Sequence, residues 1–291
     1  MGITVYLVVC LLGAALGKQF QFHNNLGQTI WVGSLGNAGV AAPNNGGFQL
    51  NAGAEKYPVL RGYLNTRAPT AAKKAPGHRL GSVVHWCYPF LTNKRTLNLQ
   101  ETVTTADNWA GRFWARTGCR FDGNGIGPCD TGDCGNKLQC AGAGGVPPVS
   151  LAEFTLNGYG GVDYYDLSLV DGFNVPVQVI PLTKSVDPNN KYGCGSATCT
   201  AYLNNNCPNE LRETNSAGAT VGCKSACLAF NTDQYCCRGN FGTPQTCTPS
   251  TWSQNYPAYF KNNCPGAYSY AYDDVSSTYT CQDSGYKIIF G

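Results

Sequence analysis

Glu153, Asp163, Asp166 and Asp171 lie together in EFTLNGYGGVDYYDLSLVDGFN, a stretch without a single basic residue. Carboxylates crowded in this way titrate unequally, because repulsion holds one in its acid form while a neighbour stays ionised. A protonated carboxyl beside an ionised one is what glycoside hydrolysis requires. One donates to the leaving oxygen and the other activates water or attacks the sugar. The same residue types also anchor turns, and Asp171-Gly172 is ordinary turn chemistry, so a catalytic and a purely structural reading both stand at this point.

Strand parity decides which way these groups face. Phe154 and Leu156 point one way while Glu153 and Thr155 point the other, and Leu167 and Leu169 oppose Asp166 and Ser168. Pairing of the two strands would put Glu153 and Asp166 on one wet surface and keep the carboxylates off the core face. Asp171, just before Gly172, would aim into the same space from the rim. Further alternating or β-branched and aromatic runs occur in QFQFHNN, QTIWVGSLG, GRFWART, VPVQVI and YKIIF, separated by Gly, Asn and Pro. This spacing predicts an antiparallel β-sandwich in a mainly β protein. Short helices are expected only near CPNELRE and CKSACLAF.

The whole chain sets the context. It has 291 residues, 43% hydrophobic and only 13% charged, with 36 Gly and 16 Cys, a composition of secreted, disulfide-rich β proteins. ITVYLVVCLLGAALG reads as a signal peptide spanning residues 1–17, and no other run is long and apolar enough to cross a bilayer. Fourteen cysteines follow the segment 57–101: Cys119, Cys129, Cys134, Cys140, Cys194, Cys199, Cys207, Cys223, Cys227, Cys236, Cys237, Cys247, Cys264 and Cys281. An even set in a secreted chain implies seven bridges, with the connectivity left open by spacing alone. No C-x2-C pair is present, and the histidines are only His23, His78 and His85, so neither a metal centre nor a cofactor is expected. The same shortage leaves a Ser or Cys nucleophile without a base. Segment 57–101 holds Cys87 and seven basic residues against one acid, so the rest of the chain is net −3 rather than +3. Basicity therefore gives no support to nucleic-acid binding by the fold.

The ordered series WAGRFWARTGCRFD, TGDCGNKLQC, PPVSLAEFTLNG, DYYDLSLVDGFNVP, CPNELRE, DQYCCRG, CPGAYSYAYDD and STYTC resembles the thaumatin-like proteins over nearly all of the chain beyond the signal peptide, except 57–101. The resemblance implies a β-sandwich domain from 18–116, 148–200 and 265–291 (with 57–101 an atypical insertion), a disulfide-rich domain at 201–264 and a small loop domain at 117–147. It also implies the bridges Cys119–Cys129, Cys134–Cys140, Cys194–Cys281, Cys199–Cys264, Cys207–Cys223, Cys227–Cys236 and Cys237–Cys247. Two departures stand out. Leu26 occupies the place of a cysteine in the family's eighth bridge, whose C-terminal partner is missing too. Joining AGAEK to TVTTADNWAGRFW restores a family-like continuation, which marks 57–101 as a retained intron or gene-model error.

Carried over by motif, the family's acidic cleft between the sandwich and the disulfide-rich domain is made by Arg112, Glu153, Asp166, Asp171 and Asp274. Glu153 would be the general acid and Asp171 the nucleophile or base. Asp166 and Asp274 would set the field, and Arg112 would keep a carboxylate ionised. Arg116, on the same strand parity as Arg112, is the weaker candidate for that role. The implied function is that of a secreted, monomeric, antifungal defence protein binding β-1,3-glucan of fungal walls, with weak endo-β-1,3-glucanase activity. The alternative is a non-catalytic protein that permeabilises membranes or inhibits a foreign hydrolase.

Overall fold

Alternation in QFQF sends Phe20 and Phe22 to one face, and both are completely buried. They belong to β1 (Gly17–Asn24) of a computed structural model that describes residues 17–53 and 100–291. Cys10, Cys87, His78, His85, the stretch read from sequence as a signal peptide up to residue 16, and the stretch read as an insertion as far as residue 99 lie outside the described residues. Gln100 and Glu101, read from sequence as the end of the insertion, instead open a strand.

In chain order the strands continue as β2 (Ile30–Gly36), β3 (Gly47–Leu50), β4 (Gln100–Ala106), β5 (Ala110–Arg116), β6 (Leu151–Thr155), β7 (Asp163–Ser168), β8 (Val177–Pro181), β9 (Ala197–Cys199), β10 (Arg212–Thr214), β11 (Thr220–Cys223), β12 (Ala267–Tyr268), β13 (Tyr279–Cys281) and β14 (Gly285–Phe290). One large sheet runs β4-β1-β14-β8-β9; a second runs β12-β7-β6-β5-β2-β3, with β13 also on β7; β10 and β11 form a small sheet of their own. Most neighbours are antiparallel. The exceptions are β1 with β14 and β12 with β7. Between the sheets Phe20 packs against Phe113 and Phe154 at ring separations of 5.0 and 4.8 Å, and Tyr286 meets Tyr165 at 5.0 Å. Such rings bury large apolar areas and favour tilted or edge-on contacts.

The outer face of the second sheet is divided. Toward one end Trp114 and Leu151 stand in register and pack with Val149, Cys134 and Cys140 in a satellite core under the 117–147 loops. Gly33, directly opposite Trp114, leaves room for the indole, since a Cβ there would overlap its ring. Beyond this covered end the face is open.

Seven disulfides join Cys119–Cys129, Cys134–Cys140, Cys194–Cys281, Cys199–Cys264, Cys207–Cys223, Cys227–Cys236 and Cys237–Cys247. Leu26 is buried in the main core, filling apolar space where the family's eighth bridge would start. Of the expected helices, CKSACLAF gives α1 (Ala226–Phe230), capped by the Ser225 side chain accepting from the Leu228 amide. CPNELRE gives a one-turn 3-10 helix, Asn209–Leu211, directly followed by β10. Pairing of Arg212 and Glu213 with β11 and the Cys207–Cys223 bridge keep the helix to that one turn. A helix not expected from sequence, α2 (Tyr256–Asn263), starts at Asn255, whose side chain accepts from Ala258 N. No helix among the described residues is long and apolar enough to cross a membrane.

Candidate functional site

Strand β6 runs through the middle of the open face. Its register sets Arg112 of β5 on one side of Glu153 and Asp166 of β7 on the other. Directly opposed residues of an antiparallel pair hold their Cβ atoms about 5 Å apart, so three charged side chains form one row. Arg112 Nη1 lies 3.7 Å from Glu153 Oε1. In the next row Ser168 stands opposite Leu151, on the same face as Glu153 and Asp166. Tyr268 of β12 lies beside Ser168. Together with Asp171 they line an open groove of about 420 Å³.

Asp171 reaches the groove from a turn that its neighbours pin firmly. Gly172 N donates to Leu169 O, and Asp171 O accepts from Val149 N. Gly172 has φ +89°, and a Cβ there would press on the Cys223 carbonyl at 2.6 Å, so glycine is required. The far wall is the segment carrying Tyr268 and Ala271. Lys261 of α2 fixes that segment through Asp273 at 2.8 Å and the Ala267 carbonyl at 2.8 Å. The cleft wall is thus the 267–274 segment; 201–264 stands behind it, through Lys261 and the contact of Trp252 with Tyr270. Asp274 sits off the groove lining. Its Oδ1 accepts from the Tyr268 hydroxyl at 2.9 Å, and its charge acts on Asp166.

Burial pushes Asp166 well above the usual carboxylate range, and repulsion from Glu153 and Asp274 adds to the shift. Glu153 is raised by burial; Arg112 opposes the shift, Asp171 adds to it, and the Ser168 hydroxyl opposes it. Burial also raises Asp171, again against Arg112. The group that most strongly retains a proton is therefore Asp166, although sequence reasoning favours Glu153. Asp166 Oδ1 is buried with no hydrogen-bond partner in the protein, so one oxygen of this carboxyl is left for a ligand.

Two charged residues sort differently from the parity argument. Asp163 shares the inward parity of Tyr165 and Leu167 and is 1% exposed, so not every carboxylate of the stretch is kept off the core face. Lys18 Nζ at 2.8 Å and the Tyr286 hydroxyl at 2.6 Å satisfy it. Arg116 shares the parity of Arg112 but lies under the 117–147 loops, fully buried. It donates to the carbonyls of Trp31, Val32, Lys137 and Leu138, and burial lowers its pKa to about 10. It has no place in the groove. Of the aromatics in the acidic stretch, Tyr165 and Phe173 are fully buried packing residues, whereas Tyr159 is 92% exposed. Sequence reasoning missed Ser168 and Tyr268 as site residues. Ser168 carried a signal, being two residues from Asp166 on the same face; Tyr268 depends on a parallel pairing that no local pattern announces.

Comparison with known proteins gives a consistent family. The thaumatin family model matches residues 92–291. A pathogenesis-related thaumatin-like protein of Cryptomeria japonica is 42% identical over 281 residues, covering 97% of this chain and 91% of that protein. A glucan endo-1,3-beta-glucosidase of Prunus avium is 48% identical over 184 residues, covering 62% and 71% of the two chains. Among solved structures, a laminaripentaose-producing beta-1,3-glucanase in complex with laminaritetraose aligns at TM-score 0.53 and 9% identity over 94% of this chain and 98% of that one. That last likeness is one of fold.

Proposed function

The chain belongs to the thaumatin family, and from that membership we propose that its acidic groove binds β-1,3-glucan of the kind found in fungal walls and hydrolyses it slowly as an endo-β-1,3-glucanase. The protein would act as a secreted defence protein, a setting supported by its seven disulfides and its pathogenesis-related relatives. The observation that carries the reading is the Asp166 carboxyl. It lines the groove in register with Glu153, burial holds its proton, and one oxygen is unpartnered.

Asp166 and Glu153 then share a proton, and the pair donates it to the leaving glycosidic oxygen. Asp171, whose ionised form Arg112 favours, activates water or attacks the anomeric carbon. Asp274, through Tyr268, sustains the negative field that stabilises positive charge on the sugar. Hydrolysis is slow because the side chains of Arg112 and Glu153 remain 39% and 33% exposed, and water screens the field they exert.

The test measures reducing-sugar release and pull-down on soluble and insoluble β-1,3-glucan. The parent is compared with Glu153→Gln, Asp166→Asn and Asp171→Asn, each checked for intact folding. Release should fall about 100-fold or more in Asp166→Asn and Asp171→Asn, and Glu153→Gln should also weaken pull-down. Binding without release would leave recognition and remove the hydrolysis; neither binding nor release would sink the reading.

A further inference from the structure

Beside the groove lies a second, much smaller cavity of about 40 Å³. Val170 and Ala271 line both spaces, so the cavity adjoins the groove across these two residues. Its other side is aromatic and polar. Trp252 stands edge-on to Tyr235 at 5.0 Å and to Tyr270 at 6.5 Å, with Ser225 and Ser269 close by. Trp252 is only 6% exposed, yet its indole Nε1 finds no acceptor in the protein. Indole N–H is a donor only, and leaving a buried donor unpaired is costly. Native structures retain such groups rarely, usually where a ligand or water completes them.

We propose that this cavity is a specificity pocket that takes the exocyclic hydroxymethyl group of one glucosyl unit, its oxygen accepting from Trp252 Nε1. The inference rests on the glucan reading of the adjacent groove. Size decides the occupant's class: the cavity, at about 40 Å³, is about a tenth of the groove's about 420 Å³, room for a small substituent such as CH2OH rather than for a sugar ring. Chemistry decides the rest. The aromatic walls accept the methylene, and the indole needs an oxygen. A pentose polymer lacks this group, so the pocket discriminates hexose from pentose chains, as sites built to pair a polar group reject ligands that lack it.

The experiment is calorimetric titration with β-1,3-linked glucose and xylose hexasaccharides, which differ at each ring by the hydroxymethyl group. The parent should prefer the glucose oligomer by about 10-fold or more. Trp252→Phe keeps an aromatic, though smaller, side chain and removes the N–H, and should bring the ratio close to one, chiefly by weakening the glucose oligomer. Ala271→Leu, at an exposed position at the mouth, should do the same by obstruction and serves if the core variant does not fold. Equal parent affinity for both oligomers would sink the pocket while leaving glucan binding in place, as would an unchanged ratio in the variants, the result expected of a structural water. Failure to bind either oligomer would overturn both this inference and the reading of the groove.

Discussion

Asp163 and Asp166 are three residues apart on one strand, and the sheet gives them opposite fates. Asp163 is turned inward and receives Lys18 and Tyr286; Asp166 is turned into the groove, beside Glu153 and within the field of Asp274, with one oxygen unpaired. Amide substitutions should therefore act in opposite directions. Asp163→Asn presents an NH2 to two donors and leaves Lys18 without its counter-charge, so it should lower stability by about 3 kcal/mol. In Asp166 the folded-state pKa is raised above the unfolded value, so the protonated form's stability is complete at low pH and is lost as pH rises through the folded pKa. Asp166→Asn removes that loss. Its melting temperature should match the parent near about pH 3 and exceed it increasingly toward neutrality. Thermal melts across pH check both variants, and a pH-independent gap for Asp166→Asn would refute the assigned titration.

Among the elements, the 117–147 loops depend on one side chain. Arg116 carries four carbonyls on its guanidinium, two from β2 and two from the loop at 137–138, and stacks 5.5 Å above Phe121. Arg116→Lys cannot reproduce a planar fork; it should cost about 3 kcal/mol in denaturant titrations and speed proteolysis within the loops. Groove function should survive in the folded fraction, since Arg112 is untouched. The contrast between Arg112 and Arg116 also marks how far sequence reached. Parity placed both on one face, and alternation made β1, β2, β5, β6, β7, β8 and β14 legible, together with the pairing of Glu153 and Asp166; Arg112 joined them only through the family resemblance. What covers one end of that face and not the other is a long-range contact, invisible in a local pattern. Strands β12 and β13 were illegible for the same reason: two or three residues are extended because β7 pairs with them, not because of their own propensity. Helix α2 did carry a signal in Asn255 followed by Pro257, the usual start of a helix. Inward-facing Asp163 was legible from parity too, but a charged group on a core face is placed only by knowing that Lys18 arrives from β1.

Across the whole molecule, the ends of the described fold are joined by sheet rather than by a bond. β1 and β14 pair in parallel from Gln19–Gly285 to Asn24–Phe290, Asn25 N donates to Phe290 O at 2.8 Å, and Gly291 N donates to Pro176 O at 3.0 Å. Leu26 completes this arrangement from the core. A Cβ built on Gly291 would lie 3.0 Å from Leu26 Cγ, close to the separation of one cysteine's Cβ from its partner's sulfur across a bridge, although Gly291 has φ +101° and a side chain there carries backbone strain. Leu26→Cys alone should destabilise by about 1–3 kcal/mol, because it leaves a void in the core. Leu26→Cys with Gly291→Cys should close spontaneously under oxidising conditions. The bridge spans nearly the whole chain, so its oxidised form should exceed its reduced form by about 2–4 kcal/mol, from restriction of the unfolded ensemble. Against the parent, the oxidised double variant should gain little, since the lost packing offsets most of the bridge. Thiol counting by mass spectrometry after native alkylation, followed by denaturant titration with and without reductant, reads both quantities. Two alkylated thiols in the native double variant would show that the sheet pairing does not bring these positions within bonding distance.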